Sequence, residues 1–254
     1  MLPQTRGIVI RAPGGLPLDP AAKARHPVPS GDTTCSQAGG REGASGPVRE
    51  NFVEAHATTT DKARAEALHE AALEALSRKE LDAAREGFEK ALLAFEACED
   101  TVGQAMTRHN LGLTCQEAGD LDAARTWFEQ SLAISEQEGL DGGIGVTCHQ
   151  LGMVAQLGQD YAKAKDWYER ALAVEEKLEN APAEAKTCHQ LGLCAHYAGD
   201  LEAARKWYDR SVTIFEGLGD KGNADKTKKL LDYLTDYERQ GGDVEHPDCP
   251  HHKH

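Results

Sequence analysis

Nowhere in its 254 residues does the chain approach the run of about 18 apolar side chains that spans a bilayer. Membrane binding is therefore not expected. Phosphate-cradling glycine loops, HExxH helices and nucleophile elbows are missing too, and so is any strand pattern to carry one. These absences lead to the expectation that the chain is not an enzyme and needs no cofactor. Basic charge is short: 28 Lys and Arg stand against 42 Asp and Glu, a net −14, and residues 61–254 hold all of the excess. A surface of that sign repels phosphate backbones and excludes a nucleic-acid partner. On net charge alone, the natural partner is a protein of basic or mixed charge. Cysteine is neither dense nor even-numbered, seven in all, with four at helical positions inside repeats. That is not a secreted disulfide scaffold, and reduced thiols in a cytoplasmic protein are expected.

Apolar clusters are also scarce in residues 1–60, where Pro13, Gly14, Gly15, Pro17, Pro20, Pro27 and Pro29 begin a long Pro/Gly-rich stretch. Such a composition does not recover the entropy cost of ordering, so residues 1–60 are expected to be disordered, with Val48 to His56 a candidate short helix. At the other end, residues 241–254 form a tail whose His246, Cys249, His251 and His252 are weak candidate metal ligands. Their spacing matches no defined zinc motif.

What the chain does have is repetition. Thr147-Cys148-His149-Gln150-Leu151-Gly152 recurs forty positions later as Thr187-Cys188-His189-Gln190-Leu191-Gly192. A looser copy is Thr107-Arg108-His109-Asn110-Leu111-Gly112, and a worn one is Ala67-Leu68-His69-Glu70-Ala71-Ala72. A fixed period of this size is the mark of a stacked solenoid. Within each unit, apolar residues fall at helical spacing in two blocks, for example Met106 to Ala118 and then Leu121, Ala124, Phe128, Leu132. Four helix-turn-helix repeats follow, at about 65–104, 105–144, 145–184 and 185–224, joined by linkers of roughly five residues. A last helix over 225–240, with Leu230, Leu231, Leu234 and Tyr237 on one face, is expected to cap the stack, giving a domain over 61–240.

Leu-Gly, then Ala, an aromatic and a small residue at fixed offsets, resembles the tetratricopeptide repeat (TPR) in its long, forty-residue form. The pattern reads Leu151-Gly152, Ala164, Tyr168, Ala171 in the third repeat, with Ala124 and Phe128, and Ala204 and Tyr208, as counterparts. The resemblance implies an all-α, right-handed solenoid whose first helices line a concave groove. Glycine inside a helix costs about 1 kcal/mol relative to alanine, so Gly112, Gly152 and Gly192 signal close helix approach. Ala124, Ala164 and Ala204 are expected to face them, with the aromatics filling the space beside. Trp127, Trp167 and Trp207 are read as packing between repeats rather than as a ligand platform.

The first helices set up columns: His109, His149 and His189; Asn110, Gln150 and Gln190; Leu113, Met153 and Leu193; Gln116, Gln156 and His196, with Tyr197 adjacent. Amide side chains suit a peptide backbone, and the apolar column suits partner side chains. The competing assignment is that His and Gln line contacts between repeats. Chaperone-tail clamps of the family need Lys and Asn where this chain has His and Leu or Met, which disfavours that ligand. The functional expectation is a non-catalytic adaptor or scaffold that binds a peptide or helix of a partner protein. The alternative is a regulatory sensor responding to a small ligand, pH or metal through its histidines.

Overall fold

The computed structural model describes residues 48–239, with side chains from Asp61 onward. The candidate metal-binding tail with His246, Cys249, His251 and His252 lies outside the described residues, as does the Pro/Gly-rich stretch up to residue 47. By its internal contacts the chain divides into two units, Met1–Ala55 and His56–His254. Of the first, the described part is helical.

Among the described residues there are nine helices and no strand: α1 (Val48–Ser77), α2 (Leu81–Ala97), α3 (Thr101–Glu117), α4 (Leu121–Gln137), α5 (Asp141–Leu157), α6 (Tyr161–Lys177), α7 (Ala181–Tyr197), α8 (Leu201–Gly217) and α9 (Lys221–Arg239). The chain is a solenoid of consecutive helix pairs: from α2 on each described helix packs on the next, and α1 meets α2 through Ala72, Ala75, Ala84 and Phe88. Odd-numbered helices are the first helices of the repeats (A) and even-numbered ones the second (B). Two boundaries differ from expectation. The candidate helix at Val48 is not separate but continues into the first repeat helix, and the linkers between repeats hold three residues, not five. From α2 on, every helix starts twenty positions after the last, so turns within and between repeats have one length.

Local chemistry explains that uniformity. Each connector places its second residue in the left-handed region: Gly119, Gly139, Gly199 and Gly219, but also Lys79, Glu99, Gln159 and Glu179. This closes the paired carbonyl bonds that end a helix, such as Gly119 N–H to Gln116 and Asp120 N–H to Cys115. Except at Glu80 and Leu140, the third connector residue then caps the next helix with its side chain, as Asp160 does by accepting from Lys163 N–H at 3.1 Å. Gly142 and Gly143, which by sequence belong to the linker closing the second repeat, are inside α5, as is Gly145. A Cβ on Gly143 would come within 2.8 Å of Ser135 Oγ.

The core is a ladder of small and aromatic side chains. Ala84 and Phe88, Ala124 and Phe128, Ala164 and Tyr168, and Ala204 and Tyr208 are all fully buried. The helical glycines face the rings rather than the alanines, contrary to the sequence reading. A Cβ on Gly152 would lie 2.6 Å from the Tyr168 ring, and one on Gly112 would lie 2.6 Å from the Phe128 ring. Gly192 meets Tyr208 in the same way. The first repeat exchanges the two sides. Ala72 stands where the others have glycine, and Gly87, whose Cβ would come 2.8 Å from that of Ala72, stands where the others have tryptophan. Trp127 packs against both its own repeat's cluster and that of Ala72, Phe88 and Leu111. At the end of the stack, Leu230, Leu231, Tyr233 and the buried Leu234 of α9 cover Ala204 and Tyr208. This is the expected cap.

Candidate interaction surface

The histidine column is a ladder that ties each repeat to the next. His69, His109, His149 and His189 place Nδ1 at 2.9, 3.1, 2.8 and 2.9 Å from Oγ1 of Thr107, Thr147, Thr187 and Thr227, respectively. The threonines settle the direction. Thr107 and Thr227 donate their hydroxyl hydrogens to the carbonyls of Gly103 and Asn223, so they accept from the imidazole. On His69 and His189, Nδ1 therefore carries the proton and Nε2 is left as an acceptor. Asn110 Nδ2–H, 3.0 Å from His69 Nε2, takes up that acceptor. Each imidazole also lies against its own repeat's aromatic, with centroids 5.3 Å apart for His149 and Tyr168. Burial pushes His109 down to about 4. His149 and His189 are pushed equally low, first by burial and then by the Lys186 and Lys226 ammoniums.

These threonines were not among the sequence-predicted site residues. They recur at forty-residue intervals, two positions before His109, His149, His189 and Lys229, so the signal was present, but the pairing joins residues 38 apart in different repeats. The amide column is drawn inward. Gln150 is buried, and Asn110 and Gln190 are half-buried. In the fourth column, Gln156 accepts from the Tyr168 hydroxyl at 2.8 Å. His196 is buried beside Tyr197 and Tyr233, and Tyr197 stacks on Tyr161 with centroids 4.7 Å apart. Leu113, Met153 and Leu193 are half-buried, and Gln116 likewise.

The third joint has one added feature. Glu175 on α6 occupies the position held by Phe95, Ser135 and Phe215 in the other B helices. It is 5% exposed and accepts from the Thr187 hydroxyl at 3.0 Å. A proton chain results: His149 Nδ1–H to Thr187, and Thr187 O–H to Glu175. Burial pushes the Glu175 carboxyl up to about 7, against a smaller opposing pull from the Thr187 bond. Its Oε2 is buried with no hydrogen-bond partner among the described residues. Cys148 and Cys188 nearby are free, buried, and pushed up to about 12 by that burial, which leaves them inert as nucleophiles.

What the A helices leave to solvent is a different set. Leu73, Val102, Met106 and Val146 are 40, 44, 54 and 45% exposed. Met106, Val146, Lys186 and Lys226 hold one position in successive A helices, with Glu66 first in the series. Arg170 and Arg210 of the B helices bridge to Glu136 and Glu176 one repeat back, so those charges are engaged in holding the stack. Among the described residues, no three His, Cys, Asp or Glu side chains converge as a metal site requires. No described helix is long and apolar enough to cross a membrane.

The family model for the tetratricopeptide repeat matches residues 64–137 and 145–217, more than half of the chain. No curated protein sequence is significantly similar. Among solved structures, the apo form of RapI is similar at 19% identity and a TM-score of 0.64, over 67% of this chain and 62% of that one. The Rap conjugation gene regulator of plasmid pLS20, in complex with the Phr* peptide, gives 19%, 0.60, and 68% and 47%. This chain thus spans less than two thirds of either Rap protein. A Podosopora anserina putative kinesin light chain with nearly identical TPR-like repeats gives 15% and 0.54, over 72% of this chain and 99% of that one. At these identities the likeness is one of fold.

Proposed function

Because the chain belongs to the tetratricopeptide repeat family, we propose that it is a non-catalytic interaction module. It holds a peptide or helix of a partner protein along the exposed faces of its A helices. One observation carries this reading. Leu73, Val102, Met106, Val146 and Leu157 are large apolar side chains left exposed on α1, α3 and α5. A soluble chain gains nothing by wetting such a row unless something covers it. The Rap regulator solved with a Phr* peptide lends support, since a similar fold there accommodates a peptide.

The histidines have a smaller part in this surface than the sequence implied. Their Nδ1 atoms are committed to threonines, and His109, His149 and His189 stay neutral down to about pH 4. That also weighs against a sensor working through them near neutral pH. The five cysteines among the described residues are free, which fits a reducing, cytoplasmic setting.

The test is affinity purification with quantitative mass spectrometry, comparing wild type with Met106→Asp/Val146→Asp. Both side chains are about half exposed, so the variant keeps its melting temperature. Specific partners should be lost from the variant. An unchanged set of partners would remove the A-helix wall as the binding surface.

A further inference from the structure

Building on the A-helix wall as the binding surface, we propose that the wall has a charge axis. It takes an extended partner segment with an apolar centre over Val102, Met106 and Val146, and an acidic end over Lys186, Lys226 and Lys229. Net charge argues the other way, because the chain as a whole is −14. A bound segment, however, responds to the charges within a Debye length, about 8 Å at physiological salt, and these differ along the wall.

One structural column shows the change. Glu66, Met106, Val146, Lys186 and Lys226 occupy equivalent positions on α1, α3, α5, α7 and α9, and all five are exposed. This column therefore runs from acidic through apolar to basic as the chain proceeds, with Asp220 the acid that acts on both lysines. The Lys186 and Lys226 ammoniums add to burial in disfavouring protonation of His149 and His189. Met106 and Val146 are the matching residues one and two repeats earlier. Lys229, also exposed, continues the histidine column onto α9. The other basic groups of this region are engaged elsewhere: Arg210 binds Glu184 at 2.7 Å and Lys228 binds Glu216 at 2.6 Å.

The geometry sets the length of the segment. Neighbouring packed helices stand about 8–10 Å apart, so the three steps from α3 to α9 cover roughly 25–30 Å. An extended chain advances about 3.3 Å per residue, so about eight or nine residues suffice from apolar centre to acidic end. Extending to α1 adds about three more residues, and Glu66 favours a basic side chain there. Because the two ends of the wall differ in sign, only one chain direction satisfies both.

Selection from a phage-displayed library of random peptides about twelve residues long tests this directly. Three baits are used: wild type, Lys186→Glu/Lys226→Glu/Lys229→Glu, and Met106→Asp/Val146→Asp, each checked by circular dichroism for an unchanged melt. Wild type should enrich peptides with a cluster of apolar residues and Asp or Glu to one side of it only. Those peptides should bind the lysine-to-glutamate variant about tenfold more weakly, and that variant should enrich Lys or Arg at the same end. Peptides that need Met106 and Val146 but show no charge bias, or a bias that does not reverse, would overturn the charge axis while leaving the groove standing. If no enriched peptide depends on Met106 and Val146, the groove reading and the axis fall together.

Discussion

Glu175→Gln is expected to stabilise the chain above neutral pH and to gain nothing in acid. In the fold this carboxyl is pushed up to about 7 by burial, against an ordinary value of 4.5. Below 4.5 it is protonated in both folded and unfolded chains and costs nothing. As pH rises from 4.5, the unfolded chain releases the proton and the folded chain holds it, so stability falls until pH passes about 7. Above that, both states are ionised and the loss is complete. At about 1.4 kcal/mol per pH unit, the gap between 4.5 and 7 sets an upper limit of about 3 kcal/mol. Glutamine cannot ionise and still accepts from Thr187. Its amide hydrogens, however, enter a space where Oε2 has no partner among the described residues, at a cost of about 1–2 kcal/mol.

The variant should therefore be about 1–2 kcal/mol more stable than wild type near pH 8 and about 1–2 kcal/mol less stable near pH 4.5. The histidines act in the opposite sense over an overlapping window. Held at about 4 in the fold against 6.5 outside it, they lose stability as pH falls below 6.5. The informative quantity is thus the difference between variant and wild type, measured by urea denaturation at a series of pH values. A difference that stays constant across the series would show that Glu175 is not a buried carboxyl, and the His149–Thr187–Glu175 chain would be discarded.

Other perturbations test other links. Gly152→Ala puts a Cβ 2.6 Å from the Tyr168 ring and should cost about 1–3 kcal/mol, whereas Gly142→Ala, with nothing within 4 Å, should be neutral or slightly stabilising. Equal thermal shifts for the two would refute the glycine–ring packing. Proton NMR should show His109, His149 and His189 titrating near 4, and any of them titrating near 6.5 would break the ladder. Gln159 is held at φ 62°, so Gln159→Gly should raise stability by about 0.5–1 kcal/mol in a thermal melt, and a drop would contradict the left-handed turn.

Much of the architecture was legible because it is local. Helical spacing acts within one or two turns of chain, and the forty-residue period is read by direct comparison of one stretch with the next. The errors lie where a short-range cue met a long-range contact. Gly142 and Gly143 look like part of a linker, yet both lie inside α5, where a Cβ on Gly143 would come within 2.8 Å of Ser135 Oγ. The candidate surface was only half legible. The histidine column was found, but its partners are threonines in the next repeat. The exposed series of Met106, Val146, Lys186 and Lys226 passed unremarked because those residue types differ from repeat to repeat.

The sequence by itself determined the period, the helical pairs, the cap and the family, since these follow from side-chain spacing along a single helix and its turns. Only the tertiary structure decided which ring each glycine accommodates, where Glu175 is buried, and which face of the A helices stays wet. Those outcomes depend on how each helix is rotated against its neighbours, and a rotation of one residue position, about 100°, exchanges a buried column for an exposed one.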